Sequence, residues 1–252
     1  MFFVRSDTLL EKAFDQYTSN YDLNNPMIKS KYNHSYRVMN LCEKYAKELG
    51  WNESDIELAR IIGLLHDFGR FEQYRVYKSF KDKDTIDHAD YSVEQLFDKG
   101  LISNYSDRKD DYEVIKFAIK NHNKLSIPKC NDEKMLRFAK LIRDADKVDI
   151  MYVLGYSKEI KEKGNNEIIS NEVLEYIKNR RIIPHTIPKK YNDEIVGHFA
   201  FAFDLNYDVV LFDYKNNLKG FYEQVENNNI FKDVYNEVNK YIDERMKVDV
   251  RN

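Results

Sequence analysis

The chain has 252 residues, with 40 Lys and Arg against 43 Asp and Glu and a formal net charge of −3. So balanced a charge gives no overall basic field for nucleic acid or an anionic membrane. The length suits one domain or a core with an appended lobe. The two cysteines, Cys42 and Cys130, make neither a disulfide framework nor a Cys-rich zinc site, and they suit a reducing compartment. No apolar run approaches the roughly 18 residues of a membrane span. Met-Phe-Phe-Val-Arg-Ser-Asp lacks the layout of a signal peptide, so a cytoplasmic location is expected.

Eight glycines, four prolines and repeated three-and-four spacing of apolar residues predict an all-α fold. A first helix is expected over about Ser6 to Tyr17. Asn24-Asn25-Pro26 then forms a loop before a second helix, which carries His34 and ends near Gly50. Asn52, with Asp55 three residues on, reads as the N-cap of a third helix. That helix is expected to stop at Gly69, with His66 and Asp67 in its last turn. Arg70 to Asp87 is polar and aromatic without a clear period and reads as a loop over a cleft. His88 opens a short helix through Phe97, and helices follow at about Arg108 to Asn121 and Asp132 to Val148, the latter continuing or restarting toward Lys163.

Beyond Lys163, Glu172 to Lys178 reads as helix, and residues 179–190 form a basic loop between prolines. That loop could close over phosphates, but a solvated connection is the favoured reading. Val196 to Leu205 clusters aromatics and suggests a strand or buried extended segment, and about Asp208 to Arg245 reads as two more helices. The expected division is a helical domain over 1–163 and a mostly helical subdomain over 164–252.

Four of the six histidines fall where a buried metal site would need them, and three of these, with one aspartate, continue apolar helical stripes. Ala59, Ile62 and Gly63 lead to His66, and Ile115, Ala118 and Ile119 lead to His122. Met135, Phe138, Ala139 and Ile142 lead to Asp146, while His34 begins a stripe continued by Val38, Leu41, Tyr45 and Leu49. His88, in D-H-A-D-Y-S, joins the set. A carboxylate at a core position is costly unless paired, hydrogen-bonded or metal-bound. Imidazole and carboxylate together are the usual protein ligands for Zn, Mn and Fe. Asp144 and Asp149 fall on other faces and read as supporting or surface groups. His185 and His198 receive no role.

His34, the pair His66-Asp67 and the distant Asp146 resemble the signature of the HD-domain metal-dependent phosphohydrolases, over roughly His34 to Asp149. The resemblance implies a helical bundle in which His34, His66, Asp67 and Asp146 hold one metal. Asp67 bridges to a second metal that His88 and His122 complete. It implies a catalytic role for Asp67, one or two divalent transition ions (Mn, Fe, Zn or Co rather than an all-oxygen Mg site), and hydrolysis of a small phosphorylated substrate such as a nucleotide. Arg70, in H-D-F-G-R, stands where relatives carry a phosphate-contacting base and is expected to act on substrate, with Arg37 and Lys147 as further candidates. Each of the three could instead be half of a structural ion pair. His122 is followed by Asn123-Lys124-Leu125-Ser126, so the Gly-Tyr-Pro continuation of cyclic-dinucleotide members is missing. Two other classes stay open: a di-iron oxygenase on the same fold, and a metal-containing binding module without turnover.

Overall fold

In a computed structural model the described residues are 8–156, 167–184, 186–187, 189–225 and 227–249. The expected starts at Ser6 and Asp7, the run from 157 to Lys163, and His185 and Pro188 of the basic loop lie outside them. Among the described residues there are helices and turns and no strand, as the all-α expectation requires. No helix among them is long and apolar enough to cross a membrane. Two compact units divide after Ile142, inside a long helix, where the sequence suggested a division near residue 163.

The first unit begins with α1 (Leu9–Thr18), started by a capping box in which Thr8 N donates to Glu11 and Glu11 N to Thr8 Oγ1. In α2 (Pro26–Glu48), Asn25 accepts from Met27 N and Pro26 occupies the first turn, where its missing N–H costs nothing. The chain leaves α2 through Gly50 at φ +70°. Asn52 caps α3 (Glu53–Leu65) by accepting from Asp55 N. α4 (Phe68–Tyr77), α5 (His88–Val93, extended as a π-helix to Asp98) and α6 (Tyr112–Asn121) follow. α2 packs on α3, α3 on α6, and α5 on both α4 and α6. The shared interior holds Val38, Tyr45, Leu58, Ile62, Leu65, Phe68, Phe71, Leu96, Ile115 and Ile119, all fully or almost fully buried. At the edge of this core Tyr17 stacks on Phe68 with ring centres 3.9 Å apart.

Arg70 to Asp87 is not one loop. α4 takes it to Tyr77, because Phe68 and Phe71 bury one helical face, and only after Lys78, in the left-handed region, does the chain turn irregular.

α7 (Glu133–Tyr156) carries the chain across the division. The second unit adds α8 (Asn171–Lys178), α9 (Tyr191–Phe199), α10 (Leu211–Gln224) and α11 (Lys232–Asp249). α11 packs on α8, α9 and α10 around Phe199, Tyr214, Leu218, Phe221 and Phe231. Val196 to Leu205 is helical, α9 running into a 3₁₀ turn over Ala200–Asp204. The buried set Ile195, Val196, Phe199, Ala200 and Ala202 has helical spacing, and that outweighs the aromatic alternation that suggested a strand.

Candidate metal centre

Two glycines set the approach of the helices that carry the histidines. A Cβ on Gly63 would stand 2.8 Å from Met39 Cα, so α3 lies against the backbone of α2. His34 of α2 and His66 then meet with their Nε2 atoms 3.1 Å apart. A Cβ on Gly69 would stand 2.7 Å from Ser92 N and 2.9 Å from His88 O, so the start of α4 touches α5. Gly69 N donates to Ser92 Oγ, which donates to His88 O. The contact holds His88 beside His122, with Nε2 atoms 3.0 Å apart.

Asp67 sits between the two pairs. α3 ends at Leu65 instead of running to Gly69, and Asp67, at φ −100° and ψ 20°, occupies the break before α4 in the bridge region of backbone space. Although it stands at the N-cap position, its side chain caps nothing. It turns inward and divides. Oδ2 lies 3.5 Å from His34 Nε2 and 3.7 Å from His66 Nε2, while Oδ1 lies 3.3 Å from His88 Nε2 and 3.7 Å from His122 Nε2. All five residues are buried. Two donor sets result, His34-His66-Asp67 and Asp67-His88-His122, each with ligand atoms mutually within 4.8 Å.

The far side of each ring fixes what Nε2 can do. His66 Nδ1 faces Gly63 O at 2.8 Å, His122 Nδ1 faces Ile119 O at 2.7 Å, and His88 Nδ1 faces Asp82 Oδ2 at 2.5 Å. Carbonyl and carboxylate oxygens only accept, so each Nδ1 carries a proton, and Nε2 is the lone-pair nitrogen of the neutral ring. Burial, aided by Arg70, pushes the His88 imidazole down to about 4 against the pull of Asp82 and Asp67. His88 and His122 bring their Nε2 atoms together on the Oδ1 side of Asp67, a donor pair that one cation can share. Burial alone would raise the Asp67 pKa, but Lys31, His66, His122 and His88 outweigh it and hold the carboxylate well below its ordinary range. An ionised carboxylate among buried imidazoles fits a divalent transition metal.

A family model described as HD domain matches residues 32–151. That stretch is an HD domain. HD domains form a superfamily of metal-dependent phosphohydrolase type and bind divalent metals. No curated protein and no solved structure matches the chain.

Three residues that the sequence did not single out surround the centre. Lys31, one turn before His34, places Nζ 2.8 Å from Asp67 Oδ2. Asp82 holds His88, as described, and burial of its carboxyl is outweighed by His88, Arg70 and Gln73, which keep its pKa below the usual range. Gln73, on α4, is fully buried and binds Asp82 through its amide nitrogen at 3.0 Å. A charged or amide side chain continuing an otherwise apolar face was the available signal for Lys31 and Gln73.

The expected substrate residues part company. Arg70 spends Nη1 on Gln73 Oε1 (2.9 Å), Phe80 O (2.6 Å) and Asp82 Oδ1 (2.8 Å). Its other nitrogens turn to the centre, Nε 3.6 Å from Asp67 Oδ1 and Nη2 3.4 Å from His88 Nε2. Arg37 is half-buried on α2. Lys147 is buried in the second unit, where its Nζ pairs with Asp204 Oδ2 at 2.8 Å beside Arg143. Asp144 is buried too, and not at the surface. It accepts hydrogen bonds from the backbone N–H groups of Asn206 and Tyr207 and from the Asn206 amide, while burial pushes its carboxyl up to about 6. Asp149 is likewise buried. Asp146 lies on α7, half-buried, four residues past the end of the first unit.

Proposed function

We propose that the chain is a metal-dependent hydrolase of phosphate ester or anhydride bonds in a nucleotide or another small phosphorylated metabolite. The observation that carries this reading is the division of Asp67, one oxygen toward each histidine pair, which suits a carboxylate shared by two ions. His34, His66 and Asp67 would hold one ion. Asp146 is proposed to close that set, because it falls inside the matched segment and continues the Phe138-Ala139-Ile142 stripe of α7. Asp67, His88 and His122 would hold the second. Imidazole-rich donors favour Mn, Fe, Zn or Co over Mg.

A divalent metal in such a set supplies Lewis acidity and neutralises phosphoryl charge. The chain's own groups do the rest. Asp67 stays ionised and takes up no proton near neutral pH. Arg70, with Nε and Nη2 facing the centre, and Lys31, on the other side of Asp67, put two cations where an anionic substrate must arrive. The proposed catalytic part lies within residues 1–163. A cytoplasmic location is proposed as well, which so low a cysteine content, Cys42 and Cys130 alone, suits.

The test is metal analysis of the purified protein, followed by phosphate release from a panel of nucleotides and phosphometabolites with Mn, Co, Fe and Mg, with and without air. Phosphate release supports hydrolysis. Oxygen consumption without it would identify an oxygenase, and bound metal with neither would identify a binding module.

A further inference from the structure

We propose that Gln73 is a positioning residue that sets the second metal position, by fastening the segment 79–87 to α4 so that Asp82 can orient His88. The proposal rests on the reading of the centre as a two-metal site. α4 and α5 are joined by a segment with one 3₁₀ turn, Asp82–Asp84, in which Phe80 packs on Tyr74 of α4 and the residues from Lys81 to Thr85 bring no apolar side chain. Its far end is tied down: Asp87 caps α5 through Ala89 N and Asp90 N, and Lys124 Nζ reaches Asp87 at 2.6 Å. Its middle hangs from Gln73. The buried amide nitrogen lies 3.0 Å from Asp82 Oδ1, 2.8 Å from Thr85 Oγ1 and 2.9 Å from Ile86 O, while Gln73 Oε1 accepts from Arg70.

The chemistry requires an amide at this position. Asp82 and Ile86 offer only acceptors, and the Thr85 hydroxyl spends its proton on Lys81 O, so it too must accept. Gln73 supplies two N–H donors to the segment and an acceptor to Arg70, a combination that no carboxylate can match. With Oδ1 held by Gln73 and Arg70, Asp82 accepts the His88 Nδ1–H hydrogen bond on Oδ2, which Asn123 Nδ2 also approaches at 3.5 Å. His88 Nε2 is thereby locked as a lone pair facing Asp67 and His122. The orienting carboxylate of a metal-binding histidine commonly governs metal affinity by 10- to 100-fold. Here that carboxylate comes from an irregular segment, so its aim depends on the fastener.

The experiment titrates Mn²⁺ into metal-free full-length protein by calorimetry and measures bound metal after dialysis, for the wild type, Gln73→Glu and Asp82→Asn. Wild type is expected to take two ions. Gln73→Glu, which sets a carboxylate against Asp82 and the Ile86 carbonyl, should weaken one site by about tenfold or more and leave the other within about threefold. Asp82→Asn should do the same, and the double variant should add little to either, as expected of residues acting in series. If Gln73→Glu does not fold, Thr85→Val removes one anchor at the segment itself and should weaken the same single site. Two ions bound with unchanged affinity in these variants would overturn the role of Gln73. Wild type that binds no ion, or only one, would instead remove the two-metal reading on which the role depends.

Discussion

Gly69→Ala is the sharpest test of how the centre is assembled. Two effects oppose each other. Alanine gains helix propensity of at most ~1 kcal/mol over glycine, less in the first turn of α4 where the residue lies. Against that, the new Cβ would meet Ser92 N at 2.7 Å, His88 O at 2.9 Å and Ser92 Oγ at 3.0 Å. Two of these three atoms are backbone, so the clash cannot be relieved by rotating a side chain. Overpacking of this kind costs about 1–3 kcal/mol. The steric term should win, by on the order of 1–2 kcal/mol, lowering Tm by roughly 2–8 °C in a protein of this size. The relief also has a direction, since α5 must move away and take His88 with it. Urea denaturation should therefore show lost stability, and metal analysis should show one of the two ions bound more weakly. Gly197→Ala is the control: within α9 its Cβ meets only Lys189 Nζ at 3.7 Å, and the propensity gain should stabilise. A Gly69→Ala protein as stable as the wild type and with unchanged metal affinity would refute the reasoning.

Asp67→Asn should cost both ions, because one carboxylate serves both histidine pairs, whereas His88→Ala should cost one; full metal content in Asp67→Asn would sink the shared-ligand geometry. Lys31→Met should raise metal affinity about fivefold, since the ammonium competes for Asp67 in a part-exposed pair worth on the order of 1 kcal/mol. Unchanged or lower affinity in calorimetry would count against that competition. Arg70→Ala should lower kcat/KM on a phosphorylated substrate by about tenfold or more, ~1.4 kcal/mol. Arg70→Lys should not restore it, because one ammonium cannot bind Asp82 and the Phe80 carbonyl while facing the centre. In the second unit, burial with help from Lys189 pushes His198 down to about 4, below its unfolded value near ~6.5. Between those values the unfolded chain binds the extra proton, so stability should fall as pH drops through that window, by at most ~1.4 kcal/mol per pH unit from this group. His198→Phe should flatten that limb, and an identical pH profile would show that His198 is not its source.

Periodicity made the donors legible because each of them ends or begins a stripe of buried apolar residues. Ile62 and Gly63 announce His66, and Ala118 and Ile119 announce His122. The break between α3 and α4 was not legible. Phe68 and Phe71 keep helical register across it, so the sequence reads as one helix ending at glycine, while Asp67 in fact adopts a non-helical backbone. α4 itself was hidden because Gln73 is buried while Val76 and Tyr77, three and four residues on in the last turn, are exposed, the reverse of the usual pattern. Asp82 left no trace at all. It sits in a charged run without a period, and its value depends on a contact made six residues on, at His88.

The fold itself holds the Nε2 atoms of His88 and His122 3.0 Å apart. Hydrogen bonds from the outer nitrogens to Asp82 and the Ile119 carbonyl fix both rings, so the donor geometry is built as the chain folds and a cation that uses it favours the native state. An ion that binds only the native state at a thousandfold its dissociation constant adds ~4.1 kcal/mol to unfolding, a large share of the 5–15 kcal/mol that typically separates native from denatured protein. Folding and loading are then one equilibrium. Chelation should loosen α5 and α6 first, as faster amide exchange around His88 and His122 while α10 and α11 keep their protection.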